Sequence, residues 1–151
     1  MTQLFGRKHK VVLGQTSPED ALSAADYPAS GSFVDVSAYE YAYCFVHMGA
    51  INGGDTPSLT VKAADSISGT LDVIDATYCT KEVAADDDDE CVLFTVEVRK
   101  LALDHHFLSC VVADVTNGSY GEIIWFLQAN SQPVTQTTTV LPTASNLVYA
   151  G

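Results

Sequence analysis

Basic residues are scarce in this chain. Seven Lys and Arg stand against 19 Asp and Glu, a formal net charge of −12. An acidic body of this kind repels nucleic acid and anionic membranes. No stretch approaches the roughly 20 consecutive apolar residues that a membrane helix needs. The start of the chain, Met1-Thr2-Gln3-Leu4-Phe5-Gly6-Arg7-Lys8, lacks the apolar core of a signal peptide, which predicts folding in the cytoplasm where the chain is made. There is no GxGxxG, no GxxxxGK[ST] and no CxxC, so the common dinucleotide, phosphate-loop and paired-thiol motifs are excluded. Charge itself is missing from the last 29 residues, which follow Glu122.

What is present is enough apolar residue for one globular domain with a real core: 151 residues, 47% of them hydrophobic. The most informative run is Tyr39 to Ile51. A strand sends alternate side chains to opposite faces. One face then carries Tyr39, Tyr41, Tyr43, Phe45 and His47, and the other Ala42, Cys44, Val46 and Met48. Neither face is mostly charged. A half-buried strand usually has a polar outer side. Two apolar faces predict a strand that is central in its own domain or covered by a partner, and so a protein whose work is assembly.

Turn signals punctuate the chain every ten or so residues from Ser32 onward. Strands are predicted over 32–36, 39–51, 58–64, 70–80, 91–98, 106–115 and 122–128, with a short one at 10–13. Asn52-Gly53-Gly54-Asp55 and Thr116-Asn117-Gly118-Ser119 are turns. Ser17-Pro18 looks like a helix start, with Ser17 as N-cap. Regular strands with such turns predict an all-β fold: a single β-sandwich, jelly-roll or immunoglobulin-like, over 31–130. Residues 1–30 and 131–151 read as extended N- and C-terminal arms. Arg7, Lys8 and Lys10 make the first arm basic on an acidic body, and Leu147, Val148 and Tyr149 give the second an apolar end. Both arms are candidates for docking on a partner.

Candidate chemistry is thin. Cys44, Cys79, Cys91 and Cys110 are widely spaced among apolar or β-favouring neighbours and read as reduced core residues. Asp86-Asp87-Asp88-Asp89-Glu90 lacks the ligand spacing and the glycine of a calcium loop, and reads as a solvated loop. His105-His106 precedes a strand, where adjacent rings face opposite sides and do not chelate one ion. No Gly-rich elbow surrounds Ser109 or Cys110. Trp125 and Phe126 are adjacent, so one enters the core and the other faces out. The residues predict no enzyme, no cofactor and no metal.

An ordered series of motifs resembles small tailed-phage virion proteins. It comprises Tyr39-Glu40 and the following β-run to Gly49-Ala50-Ile51, then Leu59 to Ser66, Val96-Glu97-Val98-Arg99, and Phe107 to Val112. The likeness covers roughly residues 33–128. It differs where Tyr41, Tyr43 and Phe45 replace aliphatic residues and where His105-His106 replaces an arginine. The resemblance implies a head decoration (cement) protein on the capsid exterior, non-enzymatic, with the major capsid protein as partner and a homotrimer as the favoured oligomer. Tyr41, Tyr43 and Phe45, with the two arms, are the interface candidates. Two other readings stand beside it: a tail or neck protein of the same virion, and a carbohydrate-binding module using Tyr41, Tyr43 and Trp125. A calcium-dependent hydrolase is the least favoured.

Overall fold

The structure is a computed structural model, and it describes residues 8–15, 21–84 and 89–129. In chain order the strands are β1 (His9–Leu13), β2 (Ala25–Tyr27), β3 (Val34–Asp35), β4 (Tyr41–Met48) and β5 (Ser58–Ala64). They continue with β6 (Asp72–Val73), β7 (Thr80–Glu82), β8 (Cys91–Glu97), β9 (Phe107–Ala113) and β10 (Gly121–Gln128). One 3-10 turn, Val98–Lys100, follows β8. The first sheet runs β1-β10-β4-β8. The second runs β2-β9-β5, with β6 and β7 both on β5 and β3 on β9. All pairings are antiparallel, and the two sheets form the expected β-sandwich.

The core is the period-two pattern made physical. Ala42, Cys44, Val46 and Met48 of β4 are fully buried, as are Leu59 and Val61 of β5, and Leu108 and Cys110 of β9. Ile123, Trp125 and Leu127 of β10 join them. Trp125 is fully buried in the interior and its indole N–H donates to the Tyr27 carbonyl at 3.4 Å. Phe126 is only half-buried, so the tryptophan is the one of the pair that enters the core. Burying an aromatic of this size stabilises the fold by about 3–5 kcal/mol relative to alanine.

Two predicted segments differ. The first is the N-terminal arm. β1 is an edge strand of the first sheet, paired from His9↔Gln128 to Leu13↔Ile124, and β2 pairs with β9. Leu22 is buried and exchanges backbone hydrogen bonds with Ser119. The sandwich therefore begins well before residue 31, because Val12 and Leu22 supply apolar surface that the core takes up. The helix start at Ser17-Pro18 lies outside the described residues, as does the C-terminal arm beyond Ala129. The second difference is the strand predicted over 70–80. Only β6 and β7 form there. Between them the Asp75 carboxylate accepts the amides of Thr77 and Tyr78, and the Asp75 carbonyl accepts that of Cys79. A local side-chain acceptor here outcompetes the ladder.

The two predicted turns meet at one end of the sandwich. Gly53 and Gly54 have positive φ (63° and 78°), as does Gly118 (73°). The Asn52 amide donates to the Gly118 carbonyl at 2.6 Å. The positive φ of Gly53 favours glycine there, and a Cβ would also displace the Asn117 side chain.

Candidate interaction surface

The aromatic row of β4 is not the core. The small residues Ala42 and Cys44, with Val46 and Met48, face the second sheet, so Tyr41, Tyr43, Phe45 and His47 point outward from the first. Strand register then fixes who stands beside them. One row across β1, β10, β4 and β8 is Leu13, Ile124, Phe45 and Leu93. The next is Val11, Phe126, Tyr43 and Thr95, and the third His9, Gln128, Tyr41 and Glu97. Glu122, His47 and Cys91 close the other end. The two middle rows hold no charged side chain. Leu13 is 47% exposed and Leu93 59%, and the aromatics between them are half-buried.

The second sheet differs. Its outer face carries Ser58, Thr60 and Lys62 of β5, Thr80 and Glu82 of β7, Val73 of β6, and Phe107, Val111 and Ala113 of β9, with Ser109 of the same row fully buried. The hydroxyls of Thr60 and Thr80 stand 3.2 Å apart, and the Ser109 hydroxyl donates to the Pro28 carbonyl at 2.8 Å. That face is mixed, polar along β5 and β7 and partly apolar along β6 and β9. The first sheet has an apolar side in the same position.

The apolar face is locally ordered. Tyr41 and Tyr43 stack at 6.2 Å with 23° between their planes, and His9 lies 6.3 Å from Tyr43. The Tyr43 hydroxyl donates to Gln128 at 2.8 Å. Partial desolvation, then the neighbouring Tyr41 and Glu40, raise the Tyr43 phenol above its ordinary value, so it stays neutral at physiological pH. At the rim Glu97 is held by Lys100 (2.6 Å) and Arg99. These partners, Lys100 first, lower its carboxyl below the usual range.

The other predicted interface residues scatter. Lys8 and Lys10 are half-buried at the β1 edge, where the Lys8 carbonyl accepts the Ala129 amide. They belong to the sheet margin, not to a free arm. Arg7, Leu147, Val148 and Tyr149 lie outside the described residues. Trp125, offered for sugar stacking, is fully buried and removes one of the three rings that reading needs. Cys44, Cys79 and Cys110 are buried free thiols as expected, but Cys91 is exposed on the outer side of the first sheet. Of the acidic run, Asp89 and Glu90 are described. Asp89 is exposed, and Glu90 pairs with Lys81 at 3.1 Å.

His105 was not separable from His106 in the sequence, and the two behave differently. His105 sits between Asp104 (2.8 Å) and Asp72 (3.2 Å). These carboxylates, Asp104 first, raise its pKa. His106 meets the Leu103 carbonyl at 2.8 Å. Beside His105 lies a pocket of about 190 Å³, smaller than a typical ligand cleft. Among the described residues no group of three or more His, Cys, Asp or Glu is placed to hold a metal ion. No helix among them is long and apolar enough to cross a membrane. Compared with protein-family models, with curated proteins and with solved structures, the chain matches none.

Proposed function

We propose that this chain is a non-enzymatic structural protein of a tailed-phage virion, a head decoration protein that binds the outside of the assembled capsid. The observation that carries the reading is the outer face of the first sheet: two uncharged rows centred on Phe45 and Tyr43, on a chain of net charge −12. A contiguous apolar patch of this kind marks an interaction site. The motif series from Tyr39 to Val112 supplies the virion context, and the major capsid protein is the partner it implies.

The mechanism is burial. Each copy lays its apolar face across a seam between neighbouring capsid subunits, contributing about 25 cal/mol per Å² of apolar surface before association costs. Many copies on one shell act together, so modest single contacts hold the lattice. A trimer of this chain would hold three such faces at one lattice junction.

The test is occupancy on particles of a phage that carries this gene. Wild-type chain should decorate them in copies of the order of the capsid lattice, and Tyr43→Asp should leave them bare while remaining folded. Full occupancy by the Asp variant would sink the assignment of this face. Tens of copies per particle at the portal end would point to the tail or neck reading.

A further inference from the structure

The edges of the two sheets are not alike. On the second sheet, β2, β3, β6 and β7 are each only two or three residues long. β1, at one edge of the first sheet, begins beside Lys8 and carries His9 and Lys10. Short strands and lysines are ordinary ways in which a sheet edge is kept from pairing with another chain. β8, at the other edge of the first sheet, has neither. It runs seven residues, Cys91-Val92-Leu93-Phe94-Thr95-Val96-Glu97, with no charge before Glu97. The Met48 amide donates to the Glu90 carbonyl, and the Val98 amide to the Glu40 carbonyl. Antiparallel positions alternate between bonded and non-bonded pairs, so Val92, Phe94 and Val96 turn their peptide groups towards β4. Cys91, Leu93, Thr95 and Glu97 turn theirs away from the sheet. Among the described residues these outward groups meet no partner.

We infer that β8 is a self-pairing edge: two copies of the chain join their β8 strands antiparallel about a two-fold axis through Phe94. Three features of the strand fit a second copy. Its inner side is symmetric about Phe94, so the axis lays Val92 beside Val96 of the second copy. The same register sets Leu93 opposite Thr95 and Cys91 opposite Glu97, and each outward amide and carbonyl then finds a partner. Its ends are oppositely charged. Asp89 and Glu90 precede the strand, while Arg99 and Lys100 follow it with side chains 79% and 75% exposed. Antiparallel pairing brings the basic end of each copy to the acidic end of the other, so a chain of net charge −12 meets its own copy through opposite charges. Its outer rows also run on. Leu13, Ile124, Phe45 and Leu93 of one copy continue into Thr95, Tyr43, Phe126 and Val11 of the second, and the uncharged face doubles in width. A two-fold contact of this kind closes at two copies and is separate from the trimer that the resemblance implies. It leaves the outer face open, and it stands whether or not that face binds a shell.

The test is the size of the full chain in solution, read by sedimentation velocity over a dilution series. Wild-type chain should pass from monomer to dimer as concentration rises. Thr95→Pro removes an outward amide that β4 does not use, so the sandwich should fold, with a thermal midpoint within about 5 °C of wild type. Its dimer should weaken about tenfold or more. Glu97→Cys should form a covalent dimer with Cys91 of the second copy in glutathione disulfide, seen on a non-reducing gel, because paired strand positions lie within disulfide reach. Adding Cys91→Ser should abolish that link. If Thr95→Pro fails to fold, this pair of cysteine variants decides. Tyr43→Asp should still dimerise, which separates failure of this pairing from failure of the outer-face reading. A wild-type chain that stays monomeric across the series, or a folded Thr95→Pro chain that dimerises as well as wild type, would overturn the proposal. So would a Glu97→Cys link that survives Cys91→Ser, because the register would be wrong. A dimer dispersed by Tyr43→Asp but not by Thr95→Pro would overturn it too, since the copies would then meet through their outer faces.

Discussion

Asp55 ties two turns together with one carboxylate. It accepts the Thr116 amide (3.0 Å) and hydroxyl (2.7 Å), and the Asn117 amide (2.9 Å) and side chain (3.2 Å). The Thr116 hydroxyl, followed by the two backbone amides, holds this carboxyl below its ordinary value. A depressed carboxylate adds stability that is present above the unfolded pKa and lost as pH falls through the folded one. Asp55→Ala should therefore lower the thermal midpoint at neutral pH, and its deficit should shrink in scans below about pH 4. His105 has the opposite sign. Its raised pKa adds stability that is full below the unfolded value of about 6.5 and is lost as pH rises through the folded value. His105→Gln should cost stability at pH 5.5 to 6 and little at pH 9, as read by paired denaturant titrations. Neither role was legible beforehand. An acid in an Asn-Gly-Gly-Asp turn predicts the turn but not its partner 61 residues away. In the same way, His105-His106 gives no sign that Asp72 will reach one ring and not the other.

Along β4 the two faces can be tested against each other. Met48 is fully buried, so Met48→Ala should cost about 2–5 kcal/mol of unfolding free energy. Tyr43 and Phe45 stand on the outer side, so Phe45→Ser should cost no more than about 1 kcal/mol in the isolated chain. Equal losses at the two positions, measured by urea unfolding, would mean that the outer face is covered within the chain. The existence of this strand was plain from the alternation, and so were β5, β8, β9 and β10. Which face turned inward was not. An aromatic row and a row of Ala42, Cys44 and Val46 both satisfy period two. The inner face is the one that carries the fully buried Trp125, which is paired beside Cys44 in the first sheet. The 70–80 run failed for a different reason: its apolar alternation was real, but Asp75 offered its own backbone a closer partner.

Taken as a whole molecule, the chain sets a net charge of −12 against one sheet face whose two middle rows are uncharged. Copies brought together through that face repel one another at long range, and salt screens the repulsion. Binding to particles should therefore strengthen, or hold, as ionic strength rises. A contact made by Arg7, Lys8 and Lys10 on an acidic partner would weaken instead. Cosedimentation with particles across a salt series separates the two. The sandwich class was legible because strand spacing and turns repeat along the chain. The platform was not, because it is assembled by register from four strands, and Leu13, Ile124 and Leu93 show no pattern in the sequence that links them to Phe45.

The place of β10 between β1 and β4 has a consequence in time. The strand made first in the first sheet and the one made fourth cannot become neighbours of anything in common until residues 121–128 have left the ribosome. Until then β1 has no ladder, and one side of β4 displays open amides and carbonyls alongside Tyr43 and Phe45. Long-range pairing of this sort is slow, and such unpaired edges favour clumping of nascent chains. A cell making many copies at once meets this chain at its most adhesive just before β10 is made. Yield should then depend on synthesis rate and temperature more steeply than the stability of the finished sandwich would suggest.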